Sequence, residues 1–332
     1  MSRRGRSRGA GQPPVLTALL LVALAACSPG RDGGQGAVLG GGSGPTTTRS
    51  GPAPLMGPVP APGPGAVVTP TGVAVPVTGP AEGGGWAVTT PCGRPAVVRS
   101  GTYVASATVV LDPGHGGIDP GAVSPGGLWE SVVNLGVSEY ARDALEEAGF
   151  TVLLTRSADY DLELPVRAEL AKAVGARAFI SVHHNAEPDG PSVGPGSETY
   201  YQIASPDSKR LAGLLYEEII RALSRYDIAW MADRDAGAKY REGSRGDFYA
   251  VLRQPAPIVS ALVEAAFISN PPEAELLARP EVQELEGEAI ARAVIRYLTT
   301  ADPGSGFVEP YPRGSPPGGG GGVSRCTDPA LE

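Results

Sequence analysis

The stretch TVVLDPGHGG, Thr108 to Gly117, sets the frame for reading the whole chain. A short run of apolar and β-branched residues stops at Asp112, where Pro and Gly follow, so it predicts a buried strand ending in a turn. The turn carries His115, one of only three histidines in 332 residues. The other two, His183 and His184, end a second apolar run in FISVHHNA, Phe179 to Ala186.

Around these two runs the periodicity alternates. ESVVNLGVSEYARDALEEAG, starting at Glu130, places Val133, Val137, Ala141 and Leu145 at helical spacing and stops at Gly149. TVLLT predicts the next strand, and LPVRAELAKAVG a helix ending at Gly175. SETYYQIA reads as a strand, PDSKRLAGLLYEEIIRALSRY as a long amphipathic helix, PIVSALVEAAF as a buried strand and PEVQELEGEAIARAVIRYL as a closing helix. Strands alternating with helices predict an α/β fold: one domain with a mostly parallel mixed sheet and helices on both faces. In such sheets ligands sit beyond the carboxyl ends of the strands.

Composition divides the rest. Gly (47) and Pro (34) together make up about a quarter of the chain, and they cluster. GPAPLMGPVPAPGPGAVV and GSPPGGGGGVS read as segments unable to bury enough apolar surface to offset the entropy of ordering. The expected organisation is a signal peptide over 1–26, a Pro/Gly-rich linker over 27–85, a folded domain over 86–300 and a Pro/Gly-rich tail over 301–332. The net charge of −8 argues against nucleic acid as a partner. Nothing in the sequence calls for an oligomer, and a monomer is expected.

The potential metal ligands and acids fall where the α/β rule puts a site. His115 follows the first strand, His183 and His184 end the third, and Glu264 lies in the apolar strand IVSALVEAAFISN. Glu130 opens the first long helix, where the macrodipole favours a carboxylate. Two histidines and a carboxylate with an open fourth position suit catalytic zinc. A further carboxylate supplies the general base of metal-assisted hydrolysis. Glu264 in an apolar strand needs a cationic or hydrogen-bonding partner, and a structural arginine, Arg156 or Arg167, is the competing candidate.

At the N-terminus, MSRRGRSR is a basic segment, and VLTALLLVALAA is apolar but too short to span a bilayer. The run ends in LAAC, which resembles the bacterial lipoprotein signal. That resemblance implies an exported protein, acylated at Cys27 and anchored to the outer face of the cytoplasmic membrane by lipid alone. The alternative is an ordinary signal peptide and a secreted protein. Cys92, at the entry to the folded region, and Cys326, beyond its exit, then remain, and an oxidising compartment predicts a disulfide between them.

The motifs VVLDPGHGGIDPGAV, ESVVNL, LLTR, FISVHHNA, GSETYY, FYAVLR and ALVEAAFISN occur in the order seen in the zinc-dependent N-acetylmuramoyl-L-alanine amidases of the amidase-3 family. The chain resembles that family over roughly residues 107 to 298. The resemblance implies a peptidoglycan hydrolase with Zn2+ held by His115, Glu130 and His183, and with Glu264 as catalytic carboxylate. It implies cleavage of the amide between N-acetylmuramic acid and L-alanine of the stem peptide. Ser131 stands where the family usually has Lys or Arg, and Ala266 where it usually has Gly. Other readings are a non-catalytic, wall-binding regulatory lipoprotein on the same fold, or a zinc peptidase or deacetylase acting on the wall.

Side chains on a strand alternate between faces, so His183 and His184 cannot both face one metal. His184 stands where the family usually has a small residue. It reads as a plain surface histidine, or as a cleft-wall residue that touches substrate. Asn185 orients a ligand, contacts substrate or caps the strand. Glu198 supports a ligand histidine or is an exposed strand residue.

Overall fold

The computed structural model of the chain describes residues 64–186, 190–232, 236–310 and 325–332. Cys27, the expected signal peptide and the first part of the expected linker lie outside the described residues.

The expected linker ends too late. Five short strands occupy β1 (Ala66–Val68), β2 (Ala74–Pro80), β3 (Trp86–Thr89), β4 (Pro95–Val98) and β5 (Thr102–Val104). They form an antiparallel sheet in the order β4-β3-β2-β1-β5. The folded region therefore begins near residue 66 and not 86. The composition conceals β1 and β2, which fall in the expected linker, because valines alternate with turn residues. Gly83, Gly84 and Gly85 all take positive φ between β2 and β3, a backbone that a side chain would strain. Val67, Val73, Val75, Val77, Val88 and Val98 are buried together with Tyr160, Leu162 and Val166 from farther along the chain. Each such side chain contributes roughly 1.5–3 kcal/mol on burial, and much of that depends on the borrowed surface.

The main sheet is built from β6 (Val109–Pro113), α1 (Glu130–Glu147), β7 (Val152–Leu154), α2 (Leu164–Ala173) and β8 (Ala178–Asn185). The chain continues through β9 (Gly190–Ser192), β10 (Glu198–Tyr201), α3 (Pro206–Leu223), β11 (Trp230–Ala232) and β12 (Gly237–Lys239). It ends with β13 (Glu242–Gly243), β14 (Gly246–Asp247), α4 (Ala250–Arg253), β15 (Ser260–Phe267), α5 (Pro271–Leu277) and α6 (Pro280–Thr299). The sheet order is β12-β10-β15-β8-β6-β7. Only the β10–β15 pair is antiparallel, and the other pairs in this sheet are parallel. This is the mixed, mostly parallel α/β sheet expected from the alternating pattern.

The near-continuous apolar strands follow from burial on both faces. Val109, Leu111, Ile180, Val182, Ala261 and Val263 join the core that holds α1, α3 and α6. Val110, Phe179 and Leu262, alternate residues of the same strands, join the core that holds α2 and α4. Where α6 crosses α1, a side chain at Gly287 would run into the Val137 carbonyl and Tyr140. The two helices thus approach closely, and this brings α6 over the end of β8.

The tail also departs from expectation. Phe307 bridges to Ala238, and Val308 donates its N–H to the Ala238 carbonyl. Residues 325–332 return to the first sheet, where Cys326 is disulfide-bonded to Cys92. Asp328 accepts from the Cys92 N–H at 2.8 Å and from Arg94 at 2.8 Å, and Leu331 packs on the valine cluster. Hydrogen bonds, one covalent link and one apolar contact hold a segment whose own composition does not. Among the described residues no helix is long and apolar enough to cross a membrane.

Candidate active site

β6 delivers the first candidate ligand on a strained turn. His115 has φ of 61°, a left-handed conformation that a non-glycine residue adopts only when its surroundings impose it. Two buried arginines impose it here. Arg156 donates to the carbonyls of Pro113, Gly114 and Ser131 at 2.9, 2.8 and 2.7 Å. Arg167 donates to the carbonyls of Pro113 and His115 at 2.8 and 2.9 Å and to Asp112 at 2.8 Å. Burial raises the Asp112 carboxyl, but Arg167, Thr155 and Ser181 outweigh it and hold the group below its usual range. Arg156 and Arg167 are therefore committed to this turn rather than to Glu264. Gly114 has a second reason to lack a side chain, since a Cβ there would lie 2.2 Å from the His183 ring.

Glu130 is the first residue of α1, at the positive end of the helix dipole. Its Oε2 accepts from the Ala122 N–H at 2.8 Å. Its Oε1 lies 3.1 Å from His115 Nε2 and 3.0 Å from His183 Nδ1. One donor atom from each of His115, Glu130 and His183 falls within 4.8 Å of the others. His115 Nδ1 lies 2.9 Å from Asp119 Oδ2, which turns Nε2 toward Glu130. Glu264 pairs in parallel register with His183, so both side chains share one face of the sheet. Its Oε2 is buried and has no hydrogen-bond partner.

The charges are unevenly placed. Burial, with Glu130 and Glu198 adding to it, lifts the Glu264 carboxyl well above its usual range. Burial works against ionisation of Glu130 too, but His115 and His183 hold it well below. Burial also opposes the charged form of His115, yet Asp119 and Glu130 raise it to about 10. Two imidazoles, one carboxylate between them and an unpartnered carboxyl oxygen alongside make a donor set that fits a divalent transition ion with an open position.

The remaining sequence candidates are placed differently. His184 is not a surface residue and does not line a cleft. It is buried on the opposite face of β8, with Nδ1 2.8 Å from Asn134 Oδ1 and Nε2 3.2 Å from Glu286 Oε2. The reason is the strand alternation that separates it from His183, together with the docking of α1 and α6 over that face. Asn185 Oδ1 accepts from the Ala186 N–H at 2.8 Å. Glu198 is fully buried rather than exposed. It pairs with Glu264 across β10–β15, lies 3.1 Å from Lys239 and accepts from the Tyr200 hydroxyl. Sequence reading missed Asp119, Asn134, Lys239 and Glu286. Asp119 and Asn134 had a signal, each four residues beyond a candidate ligand. Lys239 sits in a three-residue strand and Glu286 on a distant helix, and neither announces its partner.

An α/β domain with this constellation at the carboxyl end of its strands is suited to metal-assisted hydrolysis. Residues 109–296 match the model of the N-acetylmuramoyl-L-alanine amidase family Amidase_3, and the chain belongs to that family. It is 32% identical over 205 residues to the germination-specific N-acetylmuramoyl-L-alanine amidase of Bacillus subtilis strain 168, covering 58% of this chain and 79% of that protein. It is 30% identical over 224 residues to the amidase AmiC of Neisseria meningitidis serogroup B, covering 58% of this chain and about half (53%) of that protein. Among solved structures, the CwlD amidase of Clostridioides difficile, in complex with the GerS lipoprotein, aligns at 30% identity with a TM-score of 0.50. That alignment covers 58% of this chain and 98% of the CwlD chain.

Proposed function

We propose that this amidase is a zinc enzyme of the bacterial cell wall, with His115, Glu130 and His183 as the metal ligands and Glu264 as the catalytic base. It hydrolyses the amide between the lactyl group of N-acetylmuramic acid and L-alanine of the stem peptide. The observation that carries the reading is the meeting of three donor atoms within 4.8 Å beside the unpartnered Glu264 Oε2.

Bound zinc supplies a Lewis acid that polarises the carbonyl and brings the pKa of water to near 7. The protein supplies the rest. His115, Glu130 and His183 hold the ion, and Asp119 fixes the His115 ring. Glu264 accepts the proton of the attacking water at Oε2 and delivers it to the leaving amine nitrogen. Glu198 and its partner Lys239 lie behind Glu264 and set the charge around it.

Isolated sacculi test the reading. The enzyme should release intact stem peptides, lose this activity on chelation and regain it with stoichiometric zinc. Shortened peptides would identify a peptidase, acetate a deacetylase, and zinc binding without any product a non-catalytic wall-binding protein.

The family's substrate supports export, and the Cys92–Cys326 disulfide suits an oxidising compartment. The sequence around Cys27 adds anchoring by lipid. On fractionation the wild type should sediment with membranes, whereas Cys27→Ser should be soluble. A wild type found in the soluble fraction refutes the anchor.

A further inference from the structure

Resting on the zinc reading above, we propose that His184 and Glu286 are positioning residues for the metal-binding carboxylate, acting through Asn134. Both side chains are completely buried, one on β8 and one on α6, 102 residues apart in sequence. His184 reaches Asn134 with Nδ1 at 2.8 Å and Glu286 with Nε2 at 3.2 Å. Asn134 lies one helical turn beyond Glu130. Its Nδ2 is 3.3 Å from Glu130 Oε1 and 3.3 Å from the Gly114 carbonyl.

The hydrogen bonds fix the direction of this chain. Glu130 Oε1 and the Gly114 carbonyl only accept, so the Asn134 amide must turn its NH2 to them and its oxygen to His184. His184 Nδ1 therefore carries a hydrogen. On the other side of the ring one proton lies between Nε2 and Oε2, whichever atom holds it. The His184 backbone N–H also points at Glu130 Oε1, at 3.2 Å. Residue 184 thus grips that oxygen twice, directly through its backbone and indirectly through its side chain. The same oxygen stands between His115 and His183, so its position sets the geometry of all three donors.

Stability does not account for the pair. Glu286 Oε1 is buried without a partner, and apolar residues filling such a site are commonly neutral or stabilising. A hydrogen-bonded group behind a metal ligand, by contrast, typically supports affinity by about 10–100-fold.

The test measures zinc affinity of the folded, metal-free protein by competition with a chromogenic chelator. It is run at a temperature where the melting curve shows each variant to be folded. His184→Leu should bind zinc at least about tenfold more weakly than wild type. Glu286→Leu, which frees the His184 ring, should lie between them. Glu286→Gln, which can still bond to Nε2, should stay within about threefold of wild type. A purely structural role would lower the melting temperature of the variants and leave the affinity of the folded protein unchanged, and that result overturns the proposal. Should His184→Leu fail to fold, the contrast between Glu286→Leu and Glu286→Gln decides in the same way. A wild type that takes up no zinc would instead refute the zinc reading itself.

Discussion

Glu264→Gln should bind zinc as the wild type does and lose about 10²–10⁴-fold of its turnover. Glutamine keeps the length and shape of the side chain but cannot accept the water proton. The position argues for this role more strongly than the residue type. Glu264 lies beside His183 in register, on the face where the candidate ligands converge, and its buried Oε2 has no hydrogen-bond partner. Burial, with Glu130 and Glu198 close by, already opposes the charged form of Glu264, and glutamine matches its neutral form. The variant should therefore melt at or above the wild-type temperature, since it cannot take on the charge that burial disfavours. Loss of activity with retained zinc and retained stability isolates the proton transfer. Full turnover in the zinc-loaded variant would remove Glu264 from the mechanism.

Replacing both Cys92 and Cys326 with Ser should lower stability by up to about 5 kcal/mol on the chain-entropy account of a very long closed loop. The sequence separation is 234 residues. For a domain of this size the loss corresponds to a fall in melting temperature of roughly 10–20 °C. The consequences extend beyond the first sheet. Thr327, next to Cys326, donates its N–H to Asp161 Oδ2 at 2.8 Å. The other oxygen of Asp161 accepts from the Ile118 N–H at 2.7 Å, in the loop that carries His115 and Asp119. Opening the disulfide thus loosens a contact to the metal-binding turn. A melting temperature within about 2 °C of wild type in the double variant would show that the other tail contacts suffice.

Local periodicity accounts for how much of the fold is legible in the sequence. The runs VVLD, FISV and ALVEAAF are mostly apolar, without strict alternation, because β6, β8 and β15 are covered on both faces. Such runs, bounded by Gly and Pro, announce strands without knowledge of their neighbours. The helices α1, α3 and α6 likewise show their apolar stripes in the sequence. With these elements in an α/β order, the carboxyl-end rule alone gathers His115, Glu130, His183 and Glu264 at one edge. Strand alternation, a local property of the backbone, is enough to separate His183 from His184.

The boundaries of the folded region are decided elsewhere. Strands β1 and β2 look like part of an unfolded segment because neither can bury its valines alone. They are held by Tyr160, Leu162 and Val166 and by the returning tail at Leu331. A composition rule counts only what a segment carries with it and misses a surface lent by a distant one. The same holds for His184. By sequence alone it is a histidine beside a ligand and facing the other way. Its burial, and its place between Asn134 and Glu286, require α6 to dock on α1 through the close approach at Gly287. The sequence by itself determined the sheet, its helices and the set of candidate ligands, because periodicity and residue chemistry are local. Only the tertiary structure decided where the domain begins, how the tail is secured and what stands behind Glu130, because those depend on contacts between segments far apart in the chain.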